Sequence, residues 1–355
     1  MFGARTDLLA FGGSACVALA IAAIAAVAGI DGVSDVAWLV LVLGIDVAHV
    51  HATWFRTYLD GKELRRRPLR YIGVPLALYA AGVVLYLESP LGFWRVLAYL
   101  AVFHFVRQQA GWVALYRARS PGEARPSARF VDASAIYAAT LFPLFFWHAE
   151  LDSRSFAWFV PGDFTALPLE RWVPVAFVLW LLALGAFFAR ELARVVTSRR
   201  LALGKIVVVA TTALTWSVGI VFTNSDFVFT ATNVIPHAVP YAVLLFAYAR
   251  RRAEQQTEWS VAPVVASGFT GFAAVLLGLA FVEELAWDRF VDHDRSWLFG
   301  SGAELGAELL AFVVPLLALP QATHYVLDAV LWRRAETRAL PAQRAALGLT
   351  PGGNA

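Results

Sequence analysis

The sequence predicts an all-α integral membrane protein whose helices form one polytopic bundle. Of its 355 residues, 59% are hydrophobic and only 15% are charged, whereas soluble domains carry about 25% charged residues. The mean hydropathy is +0.64. Apolar runs of about 20 residues, the length that spans a bilayer, recur along the whole chain. This composition excludes a disordered chain, a nucleic-acid-binding domain and an ordinary cytosolic enzyme.

Ten apolar runs are candidate transmembrane helices, and we interpret residues 1–355 as a single transmembrane domain. In chain order the runs cover residues 8–30, 36–58, 71–87, 91–116, 131–147, 172–190, 206–222, 227–248, 261–282 and 305–332. The first run is longer than the apolar core of a signal peptide, which has about 7–15 residues, so we expect it to be retained. The single cysteine, Cys16, excludes an intramolecular disulfide and a multi-thiolate metal site.

The basic residues predict the orientation of the bundle. Of the 29 lysines and arginines, 22 lie on the side of the N-terminus and of the segments that follow even-numbered runs, five lie on the opposite side, and Arg56 and Arg107 lie within runs. Basic loops remain on the cytoplasmic side of a membrane. Both termini are therefore expected to be cytoplasmic, in the inner (plasma) membrane of a bacterium.

Histidines are the most informative polar residues within these runs, because polar side chains are costly inside a membrane and are functional candidates there. Five of the seven lie in even-numbered runs: His49 and His51 in the second, His104 in the fourth, His237 in the eighth and His324 in the tenth. These helices all run in one direction, and each histidine lies at the middle or in the cytoplasmic half. One histidine from each of four helices is typical of a metal site inside a bundle.

Helical spacing places further polar side chains on the same faces as these histidines. Asp46 accompanies His49, Gln108 and Arg107 accompany His104, Asn233 and Tyr241 accompany His237, and Gln321 and Asp328 accompany His324. The two aspartates are candidates for direct ligands, for acceptors of a proton from a ligating imidazole, or for acid and base. We expect Gln108, Asn233 and Tyr241 to hold oxygen or substrate.

His51 and Arg107 each have two interpretations. His51 follows His49 by two positions, about 200° around a helix, so one regular helix cannot direct both side chains to one point. It shares a face with Trp54 and Phe55, which favours substrate lining or contact with another helix. Arg107 either binds an anionic headgroup or substrate, or extends to the membrane surface.

Prolines lie close to two of the histidines. Pro236 and Pro240 flank His237, and Pro315 and Pro320 precede His324. Proline removes a backbone hydrogen bond and kinks a helix, and freed carbonyls at membrane depth are tolerated inside protein or beside a cavity. We therefore expect kinks and a cavity at this level.

The histidine-bearing segments also resemble known sequences. The motifs Asp46-Val-Ala-His49-Val-His51, His104-Phe-Val-Arg107-Gln108, Pro236-His237 and His324-Tyr325-Val-Leu-Asp328 resemble those of a group of uncharacterised bacterial multispan membrane proteins. More loosely, one histidine on each of four helices is similar to the Brp/Blh family of membrane carotene dioxygenases. The second resemblance implies one iron ion held by His49, His104, His237 and His324, and cleavage of a polyene.

Three functional hypotheses follow. Neutral imidazole suits iron, zinc and copper, and the first hypothesis is a non-haem iron oxidoreductase acting on a hydrophobic lipid or polyene. Asp46, Asp328, Gln108 and Tyr241 are its candidate catalytic residues, and His51, Arg107, Asn233 and Gln321 are candidates for the surrounding shell. The second is a zinc-dependent lipid hydrolase, similar in kind to membrane ceramidases. The third is a proton-coupled transporter that uses the histidines and aspartates as a relay.

The orientation can be tested by labelling introduced cysteines in a Cys16→Ser background. Arg66 lies in a predicted cytoplasmic loop and Asp152 in a predicted outer loop. We expect a membrane-impermeant maleimide to label the Asp152→Cys variant in intact cells, and the Arg66→Cys variant only after the membrane is permeabilised. The reverse labelling pattern would show that the orientation is inverted.

Overall fold

The fold is an all-α helical bundle of the polytopic membrane class, as the sequence predicts. The computed structural model describes residues 3–120, 125–199, 201–255 and 259–331, and its regular structure over these ranges is helical, without strands. Nine helices in these ranges are long and apolar enough to cross a bilayer. A further 30-residue helix, Pro90–Arg119, covers the fourth predicted run and contains His104, Arg107, Gln108 and Gln109.

The ten long helices are numbered α1 to α10 in chain order. Their bounds are α1 Ala4–Ala28, α2 Asp35–Arg56, α3 Leu69–Glu88, α4 Pro90–Arg119, α5 Pro126–Ala149, α6 Glu170–Ser198, α7 Leu203–Phe222, α8 Asp226–Gln255, α9 Phe269–Asp292 and α10 Ala307–Leu331. Short helices cover Gly61–Arg66, Ala262–Ala266 and Ser296–Phe299. Residue 332 of the last predicted run and five counted basic residues, Arg200, Arg333, Arg334, Arg338 and Arg344, lie outside the described ranges.

Local sequence signals determine several helix ends. The Ser89 hydroxyl accepts a hydrogen bond from the Gly92 amide at 2.9 Å, and Pro90 occupies the first turn of α4, an arrangement that satisfies or removes free amides there. α1 ends at Gly29, which has a φ of 67°. This left-handed conformation favours glycine at a helix C-terminus.

The ninth predicted run differs most from the structure. The chain forms the short helix Ala262–Ala266, turns at Gly268 with a φ of 90°, and then continues as α9 through Asp292. The sequence predicts that the ninth run ends at residue 282, because the acid Glu283 follows and an acid usually ends an apolar run. Glu283 is instead buried, with 8% of its surface exposed, and it contacts α2 through His51.

The two proline pairs have different effects. α10 is interrupted at Ala318, between Pro315 and Pro320, so a separate helical segment, Leu319–Leu331, bears His324. α8 instead remains helical through Pro236 and Pro240. The expected disruption of helical structure is therefore found in α10.

The helices that bear the histidines pack next to one another. α8 is the most buried of the nine candidate spans and packs against α1, α2 and α7. α10 packs against α2, α3 and α4, and α9 packs against α2. α3 and α6 bury little of their surface and are suited to face lipid. This order brings α2, α4, α8 and α10 around one central region.

A buried ion cluster joins α5, α6 and α7 at one end of the bundle. Lys205 is fully buried, and its Nζ lies 3.0 Å from a carboxylate oxygen of Asp132 and 3.0 Å from one of Glu191. Arg190 contacts Asp132, and Arg194 contacts Glu191, each at 2.9 Å. Arg190 and Lys205, which are among the basic residues that predict the orientation, thus also connect helices.

Replacing Lys205 should destabilise the bundle. Removal of one member of a buried ion cluster leaves a buried charge with less compensation, at a cost of about 3 kcal/mol. We expect Lys205→Met to lower the midpoint of thermal unfolding in detergent. The control is Lys62→Met, because Lys62 is the chain's other lysine and is exposed. Equal midpoints for the two variants would show that the cluster contributes little to stability.

Candidate metal centre

Four histidines from four helices converge inside the bundle, as the sequence analysis expected. His49 comes from α2, His104 from α4, His237 from α8 and His324 from α10, and each exposes only 1–3% of its surface. Each side chain offers one nitrogen, and the four nitrogens lie within 4.8 Å of one another. We call this group the histidine centre.

The imidazole rings of the histidine centre form a closed cycle. Ring centroids are 4.9 Å apart for His49 and His237, 5.1 Å for His237 and His104, 4.5 Å for His104 and His324, and 5.1 Å for His324 and His49. Each ring therefore contacts two others, one on either side. The cycle encloses a position that all four rings border.

The unpartnered nitrogens fit a metal ion. Nε2 of all four histidines, and also Nδ1 of His237, are buried without a hydrogen-bond partner among the described residues. Buried polar atoms normally have such a partner, because leaving one unsatisfied costs about 1–3 kcal/mol. Two nitrogens bound to one metal at about 2.0–2.1 Å each can lie at most about 4.2 Å apart. The four nitrogens, which lie within 4.8 Å of one another, are close to that limit.

The ring of His49 is held by its own helix. Its Nδ1 contacts the backbone carbonyl of Asp46, and the Asp46 carboxylate lies 3.5 Å from the same nitrogen. Because a carbonyl can only accept, the proton of a neutral His49 lies on Nδ1. Nε2 is then left with a lone pair that can bind a metal. The side chain of Asp46 retains 36% of its accessible surface, so the bundle covers it only in part.

His324 is held by a neighbouring helix. Its Nδ1 lies 2.7 Å from the Thr53 hydroxyl on α2, which lies 2.8 Å from the Tyr241 hydroxyl on α8. Tyr241 donates to the Asp328 carboxylate on α10 at 2.5 Å. One of the roles predicted for Asp328 is to accept a hydrogen bond directly from His324. In the structure the hydroxyl groups of Thr53 and Tyr241 lie between the two side chains.

Aromatic rings pack against the histidine centre. Phe105 stacks on His237 at 3.6 Å between ring centroids and also contacts Trp158. The Tyr325 ring lies 5.1 Å from that of His104. Aromatic rings thus pack against His104 and His237, while polar groups contact His49 and His324.

His51 is buried but is not part of the histidine centre. Its Nε2 lies 3.0 Å from a Glu283 oxygen on α9, and its ring contacts Trp54. Of the two interpretations offered for His51, the structure shows contact with another helix. The expectation that one helix cannot direct both His49 and His51 to one point agrees with this geometry.

The other predicted shell residues occupy different places. Gln108 donates to the backbone carbonyl of His237 at 2.9 Å. Asn233 donates within its own helix to the carbonyl of Phe229, while its buried Oδ1 has no described partner. Gln321 is half-buried one turn before His324. Arg107 is exposed and donates to the Tyr137 hydroxyl, so it lies outside the group of side chains that contact the histidine centre.

The predicted site residues do not include Thr53, Phe105, Tyr325 or Glu283. Thr53 lies four residues after His49, and Phe105 and Tyr325 each directly follow a histidine of the centre. Their spacing indicates the same helix faces, but hydroxyl and aromatic residues are too common in membrane helices for this signal to be distinctive. Glu283 is the first acid after the ninth apolar run, a position that the sequence predicts to be the start of a loop.

Comparisons with protein-family models, curated protein sequences and solved structures find no significant match to this chain. The interpretation of the histidine centre therefore depends on its geometry and chemistry.

Metal content tests the histidine centre directly. We expect protein purified in detergent without chelators to hold about one transition-metal ion per chain by elemental analysis. Replacing any of His49, His104, His237 or His324 with alanine should reduce this content several-fold, since each supplies one nitrogen. His148→Ala is the matched control, because His148 accepts from Tyr99 outside the centre. Metal-free wild-type protein that also fails to take up added Fe²⁺, Co²⁺ or Zn²⁺ would contradict the assignment.

Proposed function

We propose that the protein is a membrane-embedded metalloenzyme, a non-haem iron oxidoreductase that acts on a hydrophobic lipid or polyene. The observation that supports this most directly is the convergence of four buried Nε2 atoms without hydrogen-bond partners among the described residues. Neutral imidazole nitrogens are ligands for iron, zinc and copper.

The number of donors favours iron over zinc for a catalytic role. Catalytic zinc is commonly held by three protein ligands and keeps a fourth position for water, whereas four protein ligands close a tetrahedral site. His49, His104, His237 and His324 would hold the iron, and bound iron would supply the activation of oxygen.

The surroundings support a hydrophobic substrate. Phe105 and Tyr325 pack against the imidazoles, and the centre lies among helices suited to span a bilayer. A lipid or polyene already dissolved in the membrane can reach such a depth without crossing water. Asp46 lies beside His49 and keeps 36% of its side-chain surface accessible, so it is placed to orient a ligand or exchange a proton there. The proposed location is the inner membrane of a bacterium, with both termini cytoplasmic.

Oxygen consumption distinguishes the proposal from its alternatives. The wild-type protein, loaded anaerobically with Fe²⁺, should consume oxygen when it is given a carotenoid polyene or an unsaturated lipid in detergent micelles. Mass spectrometry should then find label from ¹⁸O₂ in the product. The His104→Ala variant and zinc-loaded protein serve as controls and should show neither effect.

Other outcomes would replace the proposal. Label from H₂¹⁸O together with cleavage of a lipid ester or amide by the zinc-loaded protein would identify a hydrolase. Proton-coupled solute uptake by metal-free protein in liposomes would identify a transporter. Iron binding without oxygen consumption in the presence of either substrate class would contradict the proposed oxidation of lipids and polyenes.

A further inference from the structure

Four polar groups from three helices form one hydrogen-bonded chain that begins at the histidine centre. The chain runs from His324 to Thr53, then to Tyr241 and finally to Asp328. Its three heavy-atom distances are 2.7, 2.8 and 2.5 Å. All four side chains are buried, with at most 8% of their surface exposed.

The direction of every hydrogen bond in this chain follows from the number of protons available. Tyr241 has one hydroxyl proton and donates it to the Asp328 carboxylate, which can only accept when it is ionised. The proton between Tyr241 and Thr53 must then come from Thr53. Since Thr53 also has one hydroxyl proton, the proton between Thr53 and His324 must come from His324 Nδ1.

We infer that Asp328 is a remote positioning residue that fixes the tautomer of His324. With its proton on Nδ1, neutral His324 has a bare lone pair on Nε2, the atom directed to the histidine centre. The opposite tautomer would place a proton on Nε2 and prevent coordination. Thr53 and Tyr241 transmit the constraint, and neither needs to touch a metal or substrate.

The ionised state of Asp328 is supported by its surroundings. Arg56 on α2 is buried and donates from Nη2 to the carbonyl of Leu331, three residues after Asp328, at 2.7 Å. The guanidinium therefore places a positive charge at the same end of the chain as the carboxylate. His49 has the same tautomer, but a single hydrogen bond fixes it, because the carbonyl of Asp46 accepts the proton of its Nδ1.

This inference rests on the proposed metal centre, and Co²⁺ affinity provides the main test. Groups that orient a metal-bound histidine commonly change metal affinity by about 10–100-fold when replaced. We expect Thr53→Val, Tyr241→Phe and Asp328→Asn each to weaken Co²⁺ binding by at least about tenfold in competition with a chelator. The visible absorption bands of the bound cobalt should also shift.

Two controls separate orientation from general disruption. Tyr71→Phe removes a hydroxyl from another buried tyrosine, which donates to Glu63 outside the histidine centre, and it should leave the affinity within about twofold. Thr53→Ser retains the hydroxyl and should restore most of the affinity lost in Thr53→Val. Unchanged affinity in all three chain variants would overturn the inference.

The tautomer itself can be measured without a metal. In metal-free wild-type protein labelled with ¹⁵N-histidine, the nitrogen shifts of His324, assigned by comparison with His324→Ala, should report a protonated Nδ1 and a bare Nε2. Thr53→Val should lose this preference. If the wild-type protein has this tautomer yet binds no metal, the proposed metal centre fails while the hydrogen-bond inference stands. A protonated Nε2 in the wild type would overturn the inference alone.

Discussion

Four imidazole nitrogens face one another in an interior that offers them no hydrogen-bond partner among the described residues. Such an arrangement is unfavourable for the protein alone, because buried polar atoms without partners lose the hydration they had in water. It is sustained by the packing of α2, α4, α8 and α10, each of which contributes one ring. A shared positive ion would convert four unsatisfied acceptors into four ligands. The hydrogen bonds from His49 to the Asp46 carbonyl and from His324 to Thr53 hold two of the rings in this arrangement.

The supporting charges are arranged at different distances from the centre. Asp46 is adjacent to His49, while Asp328 acts through two hydroxyl groups. Glu283 compensates His51 rather than a member of the cycle. A divalent ion bound in this interior would need nearby negative charge, which carboxylates at these distances would supply. The cluster around Lys205 has a separate role, because it connects α5, α6 and α7.

The sequence was sufficient to predict the helical class and the four converging histidines. Each of these histidines interrupts an apolar helix, and the cost of a polar group in a membrane makes such an interruption informative. Helix packing order is not encoded in any local pattern, so the link from Thr53 to Tyr241, 188 positions apart in the sequence, could not be predicted. Spacing gives a helix face but not the direction of a long side chain, so it could not decide between the two interpretations of Arg107. Glu283 was missed because a buried acid and a loop acid look alike in the sequence until a partner such as His51 is known.

Thr53 and Tyr241 lie between His324 and Asp328, so the carboxylate that fixes the tautomer of His324 does not bond to its ring directly. A carboxylate bonded directly to the imidazole would fix the same tautomer, but it would place a full negative charge beside the ring. Two neutral hydroxyl groups transmit only the direction of the hydrogen bonds, and the charge of Asp328 stays at the far end of the chain, where Arg56 donates to the carbonyl of Leu331. Because the three links come from α2, α8 and α10, the chain also holds these helices in register. The same contacts therefore orient a ligand and join the helices that create the site.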